Sequence, residues 1–276
     1  MDVAALETRL LETVRARSAN GPVSVCFSGG VDSTLVLAAC LRAGLPTRAL
    51  LVVSLSLSRE ERAEAHALAA ALGAELEELA TGETDLPEYR ANSGDRCYWC
   101  KSTLYGVAEK AAAAQGFEGV LMNGTQVEDL GDVRPGLQAA KDHQVMSPLV
   151  DAAFDKAAVR ALARHWGLPN ADKAASPCLA SRFPVGTEVT PERLKQVEAM
   201  ESFLRVKGLW PARARWHDSV VRIELDAKLG PACFEEPLRT ELERAAWRAG
   251  FRFVAVDLGG VQSGSLAKKL TTESAS

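Results

Sequence analysis

Short apolar segments and amphipathic segments alternate along the first two thirds of the chain. The amphipathic segments have the apolar spacing of helices, and Ser58–Leu72 starts at a capping serine and stops before Gly73. Such alternation predicts an α/β fold, an open parallel sheet with helices on both faces. The predicted strands are Val23–Phe27, Arg48–Leu55, Glu75–Leu79, Val120–Gly124 and Gln144–Val150, and two further helices are Lys101–Gln115 and Lys156–Trp166.

The order of elements changes after Pro184. A helix at Pro191–Val206, with a capping threonine and a proline at its start, is followed by strands, a helix and a last strand. We therefore predict a larger domain over 1–184 and a smaller α/β domain over 185–276, for substrate binding or oligomerisation. The later elements are predicted around Ala212–Trp216, Val220–Leu225, Glu235–Ala249 and Phe251–Leu258.

Composition and charge narrow the class of protein. The 276 residues are 47% hydrophobic, enough for a full core, and no apolar run is long enough to span a bilayer. The N-terminal segment predicts an amphipathic helix rather than a signal peptide, so we expect a cytoplasmic protein without a membrane partner. A net charge of −4 with scattered signs argues against nonspecific nucleic-acid binding.

The segment Ser28-Gly29-Gly30-Val31-Asp32-Ser33 joins the first apolar strand to a helical segment. Its glycines allow an anion to approach the backbone, and the amides and dipole of the helix N-terminus favour a phosphate. The serine hydroxyls add donors, and Asp32 suits a capping or magnesium-linked role. No Gly-Lys-Ser/Thr ending follows, so this is not the common loop that cradles a transferable terminal phosphate. The segment resembles the PP-loop of ATP pyrophosphatases, which bind ATP through its β,γ-pyrophosphate.

A second candidate segment follows the strand that ends at Gly124. Ligands of open parallel sheets bind at the carboxyl ends of the strands, so this segment is expected near the nucleotide, with Gly124 in the nucleotide site. Asp129 and Asp132 are candidates to hold Mg²⁺ on the phosphates. Arg134 is a candidate to stabilise developing negative charge. The alternative is a solvated acidic loop.

Three of the six cysteines are candidates for chemistry. Cys97 and Cys100 are spaced by two residues, and Cys178 stands far downstream in a loop-like setting. Three thiolates suit an iron–sulfur cluster with one open iron, whereas a structural zinc site normally has four ligands. Alternatively, Cys178 acts alone as nucleophile or sulfur source, with Arg182 and Lys173 lowering its pKa. The other cysteines, Cys26, Cys40 and Cys233, are predicted to pack as small hydrophobes.

Several motifs together resemble the LarE family of ATP-dependent sulfur transferases. They occur in the family's order over most of the chain: SGGVDS, DRCYWCK, GTQVEDLGDVRPG, ASPCLASRFPVG, ARARWHDSVVRIE and FRFVAVDLGGVQSGS. The resemblance implies sulfur insertion into pyridinium-3,5-dicarboxylic acid mononucleotide, on the way to a nickel-pincer nucleotide cofactor. It also implies that ATP adenylates a substrate carboxylate and that sulfur then displaces AMP.

The family has two branches that differ in their sulfur source. In one, the cysteine that corresponds to Cys178 gives up its own sulfur and becomes dehydroalanine. In the other, cysteines matched here by Cys97, Cys100 and Cys178 hold a 4Fe–4S cluster that relays external sulfide. Because all three are present, we favour the cluster branch over the sacrificial one. A further alternative is that the first two only line a loop.

Basic residues are needed to hold the phosphate and carboxylates of such a substrate. Arg213 and Arg215 alternate along a predicted strand and share one face, and the resemblance assigns them to a phosphate site completed across a subunit interface of a homo-oligomer. Ser181 and Arg182 are further candidates for substrate binding, and Glu198 is a weaker one. Trp99 is a candidate to stack on a ring, with simple packing as the alternative.

Other functions use the same nucleotide loop. A tRNA thiolase would also combine ATP, cysteines and sulfur, but the chain has no evident basic RNA-binding extension. An amide ligase such as NAD or GMP synthetase would have no need for the three cysteines. The remaining alternative is a nucleotide-binding module without turnover.

Overall fold

The computed structural model describes residues 2–114, 119–131 and 135–261. The chain divides into two compact units, one of Met1–Tyr89 with Asp95–Pro177 and the other of Arg90–Gly94 with Cys178–Ser276. The domain extents predicted from the sequence, 1–184 and 185–276, stay a prediction. Within these described ranges, none of the helices is both long and apolar enough to cross a membrane.

The first unit is built on a four-stranded parallel sheet with the order β3-β2-β1-β4. Its strands are β1 (Val23–Cys26), β2 (Thr47–Val53), β3 (Glu75–Ala80) and β4 (Val120–Met122). Its helices are α1 (Val3–Ser18), α2 (Val31–Arg42), α3 (Arg59–Ala71), α4 (Pro87–Ala91, at the division between the units), α5 (Arg96–Ala114), α6 (Pro135–Asp142), α7 (Pro148–Asp151) and α8 (Lys156–His165), with 3₁₀ turns at Glu83–Asp85 and Val127–Gly131.

Both faces of this sheet are covered, as the sequence pattern predicts. On β2, Ala49 and Leu51 belong to the core that includes residues of α1, α2, α7 and α8. Leu50 and Val52 point the other way and pack with Ala108 of α5. Since successive strand residues face opposite sides, a strand segment that is covered on both sides is apolar, which is why residues 49–53 of β2 form an unbroken hydrophobic run.

The predicted strand Gln144–Val150 is wrong. Only Met146 forms an isolated bridge, to Met122 of β4, and the chain then enters α7 at Pro148. Proline cannot donate to a sheet ladder, but its fixed φ suits the first turn of a helix. The apolar residues of this segment therefore form one bridge at the edge of the sheet and then the start of α7.

Helix α5 begins at Arg96, earlier than the predicted Lys101, so the loop-like setting expected for Cys97 and Cys100 is also wrong. Asp95 precedes the helix, and its backbone carbonyl accepts a hydrogen bond from the Tyr98 amide at 2.8 Å. Its side chain accepts one from the Trp99 indole at 2.9 Å. An acidic residue that accepts bonds at this position favours an early helix start, and both cysteines lie in the first helical turns.

The second unit contains a three-stranded sheet with the order β5-β6-β7. The first two strands are antiparallel and the last two are parallel. Helix α10 begins after Pro237 rather than at Glu235, and the predicted bounds of α9 are confirmed. The elements are the 3₁₀ turn Leu179–Arg182, α9 (Pro191–Val206), β5 (Ala212–His217), β6 (Val220–Leu225), the 3₁₀ turn Gly230–Phe234, α10 (Leu238–Ala249) and β7 (Phe253–Val256).

Candidate functional site

The chain leaves β1 and makes a tight turn over Ser28–Gly30 before α2 begins at Val31. Gly29 has a φ of +69°, a conformation that favours glycine. Gly30 occupies the N-cap position with an extended backbone, so no side chain of that residue caps the helix. The first amides of α2 are therefore available to an anion, and the helix dipole favours its negative charge.

The two serines of this turn lie side by side. The hydroxyl oxygens of Ser28 and Ser33 are 3.1 Å apart, and the Ser33 hydroxyl donates to the Gly30 carbonyl at 3.1 Å. The Ser28 amide donates to the Ser33 hydroxyl oxygen at 3.3 Å. These bonds hold the turn in shape, and they place both predicted hydroxyl donors beside the helix N-terminus.

Gly124 follows β4 and passes very close to the start of α2. A β-carbon at this position would lie 2.6 Å from the Ser33 nitrogen and 2.9 Å from the Asp32 carbonyl carbon. Only glycine permits this approach without a shift of the backbone. The structure thus brings the predicted Gly124 and the phosphate loop together at one edge of the sheet.

Asp32 is in the first turn of α2, with Asp129 near enough to influence its ionisation. Burial raises the pKa of Asp32, and the charge of Asp129 raises it further, against smaller opposing effects of Lys156 and Arg160. A carboxylate whose charge is disfavoured by burial and by a second acidic side chain is suited to bind a divalent cation. The other two predicted residues of this segment, Asp132 and Arg134, lie outside the described residues.

Two residues that follow α8 also contact the loop. The Asn170 amide donates to the Gly29 carbonyl at 3.1 Å, and the Lys173 ammonium lies 3.5 Å from the same oxygen. Sequence reasoning missed Asn170, because a single asparagine in a loop has no distinguishing pattern. Lys173, which was predicted to act on Cys178, is ion-paired with Glu61 at 2.7 Å.

The cysteines of the first unit fall into two groups. Cys97 is exposed and Cys100 is partly exposed, in the first turns of α5. Burial raises the pKa of Cys26 and of Cys40 to about 12. The latter two are therefore thiols that pack, as predicted.

Close packing surrounds the paired cysteines. A β-carbon on Gly136 would lie 3.3 Å from Cγ of Lys101 and 3.5 Å from the Cys97 carbonyl oxygen, so α6 starts against this turn. Trp99 packs edge-on against Tyr98 with ring centroids 5.2 Å apart. Within each unit, the described residues gather no group of three or more side chains suited to hold a metal.

Cys178 belongs to the second unit, where it is exposed just before the 3₁₀ turn Leu179–Arg182. The Arg182 side chain turns back toward it and donates to the Cys178 carbonyl at 3.5 Å and to the Ser181 hydroxyl at 2.8 Å. Two bonds at 2.6 and 2.9 Å join the same guanidinium to the Glu201 carboxylate. Although burial opposes its charge, these bonds raise the pKa of Arg182.

Arg215 is held on β5 by a second buried carboxylate. It donates to Glu224 of β6 at 2.8 Å and to the Ser181 carbonyl at 2.8 Å. Arg213 stands two residues before Arg215 on β5, so both side chains leave the same face of the strand. Burial, and then the charges of Arg215 and Arg182, lower the pKa of Arg213. Three guanidinium groups therefore meet beside the segment that carries Cys178, and this arrangement suits an anion with several oxygens.

Sequence reasoning missed both carboxylates of this cluster. Glu198, the predicted residue, is partly buried on α9, whereas Glu201 is 6% exposed and pairs with Arg182. A signal was present, since Glu201 stands at helical spacing from the buried Val197 and Leu204. Glu224 lies between apolar residues of a strand and is fully buried. A charged residue at a core position is paired in most proteins.

Comparisons with known proteins agree with this architecture. The asparagine synthase family matches residues 5–113. A pyridinium-3,5-bisthiocarboxylic acid mononucleotide synthase of Lactiplantibacillus plantarum is 37% identical over 98% of this chain and 97% of its own length. An uncharacterized Synechocystis protein is 40% identical over 90% of this chain and 92% of its own. An uncharacterized protein of Methanocaldococcus jannaschii is 26% identical over 91% of this chain and 94% of its own.

A parallel sheet whose first strand leads through a glycine–serine loop into a helix N-terminus defines an ATP-using enzyme of the PP-loop class. The identity with the L. plantarum synthase extends beyond this loop through both units. The chain belongs to the LarE family of ATP-dependent sulfur transferases.

Proposed function

We propose that this protein adenylates a carboxylate of pyridinium-3,5-dicarboxylic acid mononucleotide and replaces one carboxylate oxygen by sulfur. A substrate carboxylate oxygen attacks the α-phosphorus of ATP, and pyrophosphate leaves. A sulfur nucleophile then attacks the carbonyl carbon and expels AMP, which leaves a thiocarboxylate. The exposed Cys178 next to a buried arginine cluster is the observation that supports this proposal most.

The first unit supplies the nucleotide site in this proposal. The amides at Gly29, Gly30 and the start of α2, with the hydroxyls of Ser28 and Ser33, would receive the β,γ-pyrophosphate. Mg²⁺ would bind through Asp32 and Asp129, whose mutual repulsion it would relieve. Gly124 would keep the backbone close to this site. Asp132 and Arg134 keep their predicted roles at the metal and at the developing charge.

The second unit supplies the substrate site. Arg182, Arg213 and Arg215 would bind the phosphate and the carboxylates, with the Ser181 hydroxyl as a further donor. Glu201 and Glu224 orient two of these guanidinium groups. Glu198 stays a weaker candidate, and Trp99 remains a candidate to stack on a ring. A homo-oligomer that completes the phosphate site is part of the same proposal.

The accessible thiols fit a 4Fe–4S cluster in their chemistry. Cys97 and Cys178 are exposed and Cys100 is partly exposed, whereas the other three cysteines have a pKa that burial raises. Thiolates are the ligands of such clusters. We therefore assign these three as its ligands. The cluster would take sulfide from an external donor at the iron that the protein thiolates leave open.

The test is single-turnover sulfur transfer by anaerobically purified protein with ATP, Mg²⁺, sulfide and the mononucleotide. We expect Cys178→Ala to abolish thiocarboxylate formation while MgATP binding persists. Cys233→Ala is the matched control, because this buried thiol of the same unit is expected to be dispensable for transfer. Full transfer by Cys178→Ala, measured by mass spectrometry of the product, would refute the assignment.

Iron and sulfide analysis separates the two sulfur sources. We expect Cys97→Ala and Cys100→Ala to lose iron and catalytic turnover. If both variants keep full activity and one equivalent of Cys178 becomes dehydroalanine per turnover, the sacrificial route holds and the cluster assignment is wrong.

A further inference from the structure

Asn170 lies under the phosphate loop of the first unit. It is 7% exposed, and its side-chain nitrogen donates to the Gly29 carbonyl at 3.1 Å and to the Thr34 hydroxyl at 2.9 Å. The residue follows α8 and is far from the loop in the sequence. A buried side chain that donates to the loop and also to the helix that follows it is placed to fix the conformation of that loop.

The direction of these bonds fixes the orientation of the amide. A carbonyl can only accept, so the group facing Gly29 must be the nitrogen of Asn170. The Thr34 hydroxyl donates to the Gly30 carbonyl at 2.8 Å and therefore accepts from Asn170. The side-chain oxygen of Asn170 is buried and meets no hydrogen-bond donor within the described part of the chain.

This chain of bonds controls where the loop amides point. In a trans peptide the carbonyl and the N–H point in opposite directions. With the Gly29 carbonyl held toward Asn170, the Gly30 N–H points the other way, toward the exposed Ser28 hydroxyl at 3.4 Å. With the Gly30 carbonyl held by Thr34, the next N–H, that of Val31, is fixed in the same manner.

The segment that carries Asn170 is itself anchored. The Arg160 guanidinium donates to the carbonyls of Ala171 and Lys173 at 3.2 and 2.9 Å. The Lys173 ammonium forms ion pairs with Glu61 at 2.7 Å and Glu64 at 2.9 Å, both on α3. Asn170 is therefore a rigid support rather than a side chain that adapts to the loop.

We propose that Asn170 is a positioning residue that preorganises the phosphate loop for the pyrophosphate of ATP. This inference rests on the proposed use of ATP at that loop. A free loop would have to order its backbone on binding, and the ordering would weaken affinity. Asn170 removes part of that cost before the nucleotide arrives.

Binding of Mg²⁺ with α,β-methylene-ATP, and of inorganic pyrophosphate, to the full chain tests this role by calorimetry. Loss of two hydrogen bonds in Asn170→Ala is expected to weaken both ligands about tenfold. In Asn170→Asp a carboxylate faces the Gly29 carbonyl, so the loss of affinity for both ligands at neutral pH is expected to be larger than in Asn170→Ala. Protonation of this carboxylate restores one hydrogen-bond donor, so the ratio of variant to wild-type affinity should recover as the pH falls.

The matched control is Asn92→Asp in the second unit. Asn92 is 3% exposed and also uses its side-chain nitrogen on two carbonyls, those of Pro184 and Thr187, at 2.8 and 3.1 Å. We expect this variant to lose thermal stability and to keep the wild-type affinity for both ligands. Thr34→Ser, which keeps the hydroxyl, should bind better than Thr34→Val.

The outcomes are distinct. If wild-type protein binds neither ligand, the proposed use of ATP at this loop fails. If wild-type protein binds and the Asn170 variants bind equally well, or show the same pH dependence as wild type, the positioning role is wrong. An equal loss of affinity in Asn92→Asp would mean that general destabilisation explains the effect, and it would overturn the inference as well.

Discussion

Burial raises the pKa of Asp32, and the neighbouring charge of Asp129 raises it further. A folded-state pKa above the unfolded-state value means that ionised Asp32 costs stability at neutral pH. The carboxylate is nevertheless placed at the phosphate loop, where Mg²⁺ would stabilise its charge. Residues kept at a cost to folding are common at functional sites.

Asp32→Asn is therefore expected to stabilise the unliganded protein at pH 7. The gain should shrink as the pH falls through the raised folded-state pKa of Asp32, and it should vanish below about 4, near the unfolded-state pKa of aspartate, because the carboxyl group is then uncharged in both the folded and the unfolded wild-type protein. The same change should abolish magnesium-dependent ATP turnover. Urea unfolding over a range of pH checks the stability, and a wild-type protein more stable than the variant at pH 7 would contradict this account.

Glu201 is a second residue whose burial determines how a substitution changes stability. Its carboxylate accepts from the Arg182 side chain at 2.6 and 2.9 Å and from the Ala214 amide at 2.9 Å. Removal of one member of a buried ion pair leaves the other charge in a poor environment. The pair thus links α9 and β5 to the segment after Cys178.

Glu201→Ala is expected to lower the free energy of unfolding by about 3 kcal/mol. Glu201→Gln keeps one side-chain oxygen that can accept two hydrogen bonds, so its free energy of unfolding should fall by less than that of Glu201→Ala. Glu243→Ala is the control, since its ion pair with Arg239 on α10 is exposed and 4.0 Å long, and it should change stability little. Urea unfolding measures all three, and an equal loss in the exposed and buried variants would count against the buried network.

At the scale of elements, the junction between β4 and α2 decides the shape of the phosphate loop. The two elements meet where Gly124 faces the backbone of Asp32 and Ser33. β1 and β4 pair in register, with Val25 opposite Met122, so the strand ends bring these segments to the same edge. A small displacement of either element would move the first backbone amides of α2, which the proposed function assigns to the nucleotide.

Gly124→Ala is expected to cost about 1–3 kcal/mol of stability, because the new methyl group overlaps the backbone of α2. It should also weaken MgATP binding, since the start of the helix must shift. Gly230→Ala in the second unit provides the control, as a β-carbon there would have no heavy atom of the described residues within 4 Å. Calorimetric titration and thermal unfolding test both variants, and unchanged MgATP affinity in Gly124→Ala would refute the role of the close approach.

At the scale of the whole molecule, charge distinguishes a small-molecule enzyme from a tRNA thiolase. The chain has a net charge of −4 and a pI near 5.7, and its arginine cluster is compensated by the buried Glu201 and Glu224. Binding to a nucleic-acid backbone depends on many uncompensated cations. In the proposed function, the arginine cluster binds one small anionic substrate instead.

We expect sulfur from labelled sulfide to appear in the mononucleotide and not in tRNA. Filter binding at physiological salt should detect no retained tRNA, and mass spectrometry should detect the thiocarboxylate. ATP-dependent labelling of tRNA would overturn the choice of substrate class.

The sequence by itself determined the features that depend on neighbouring residues. The strand, glycine turn and helix around Ser28–Ser33 follow from local periodicity and glycine chemistry, and the bounds of α9 follow from a capping threonine and a first-turn proline. The motifs identified the family for a similar reason, because each is a short run of residues whose spacing is visible in the chain.

Only the tertiary structure decided the contacts between distant segments. Asn170 reaches the loop at Gly29, and Gly124 closes on α2, because the sheet order and the α8 connection bring them there. The single bridge at Met146, where the sequence predicted a strand, and the pairing of Arg182 with Glu201 also depend on contacts between distant segments. These contacts join residues that share no local sequence pattern. They stabilise the protein only after folding has brought the residues together and excluded water from between them.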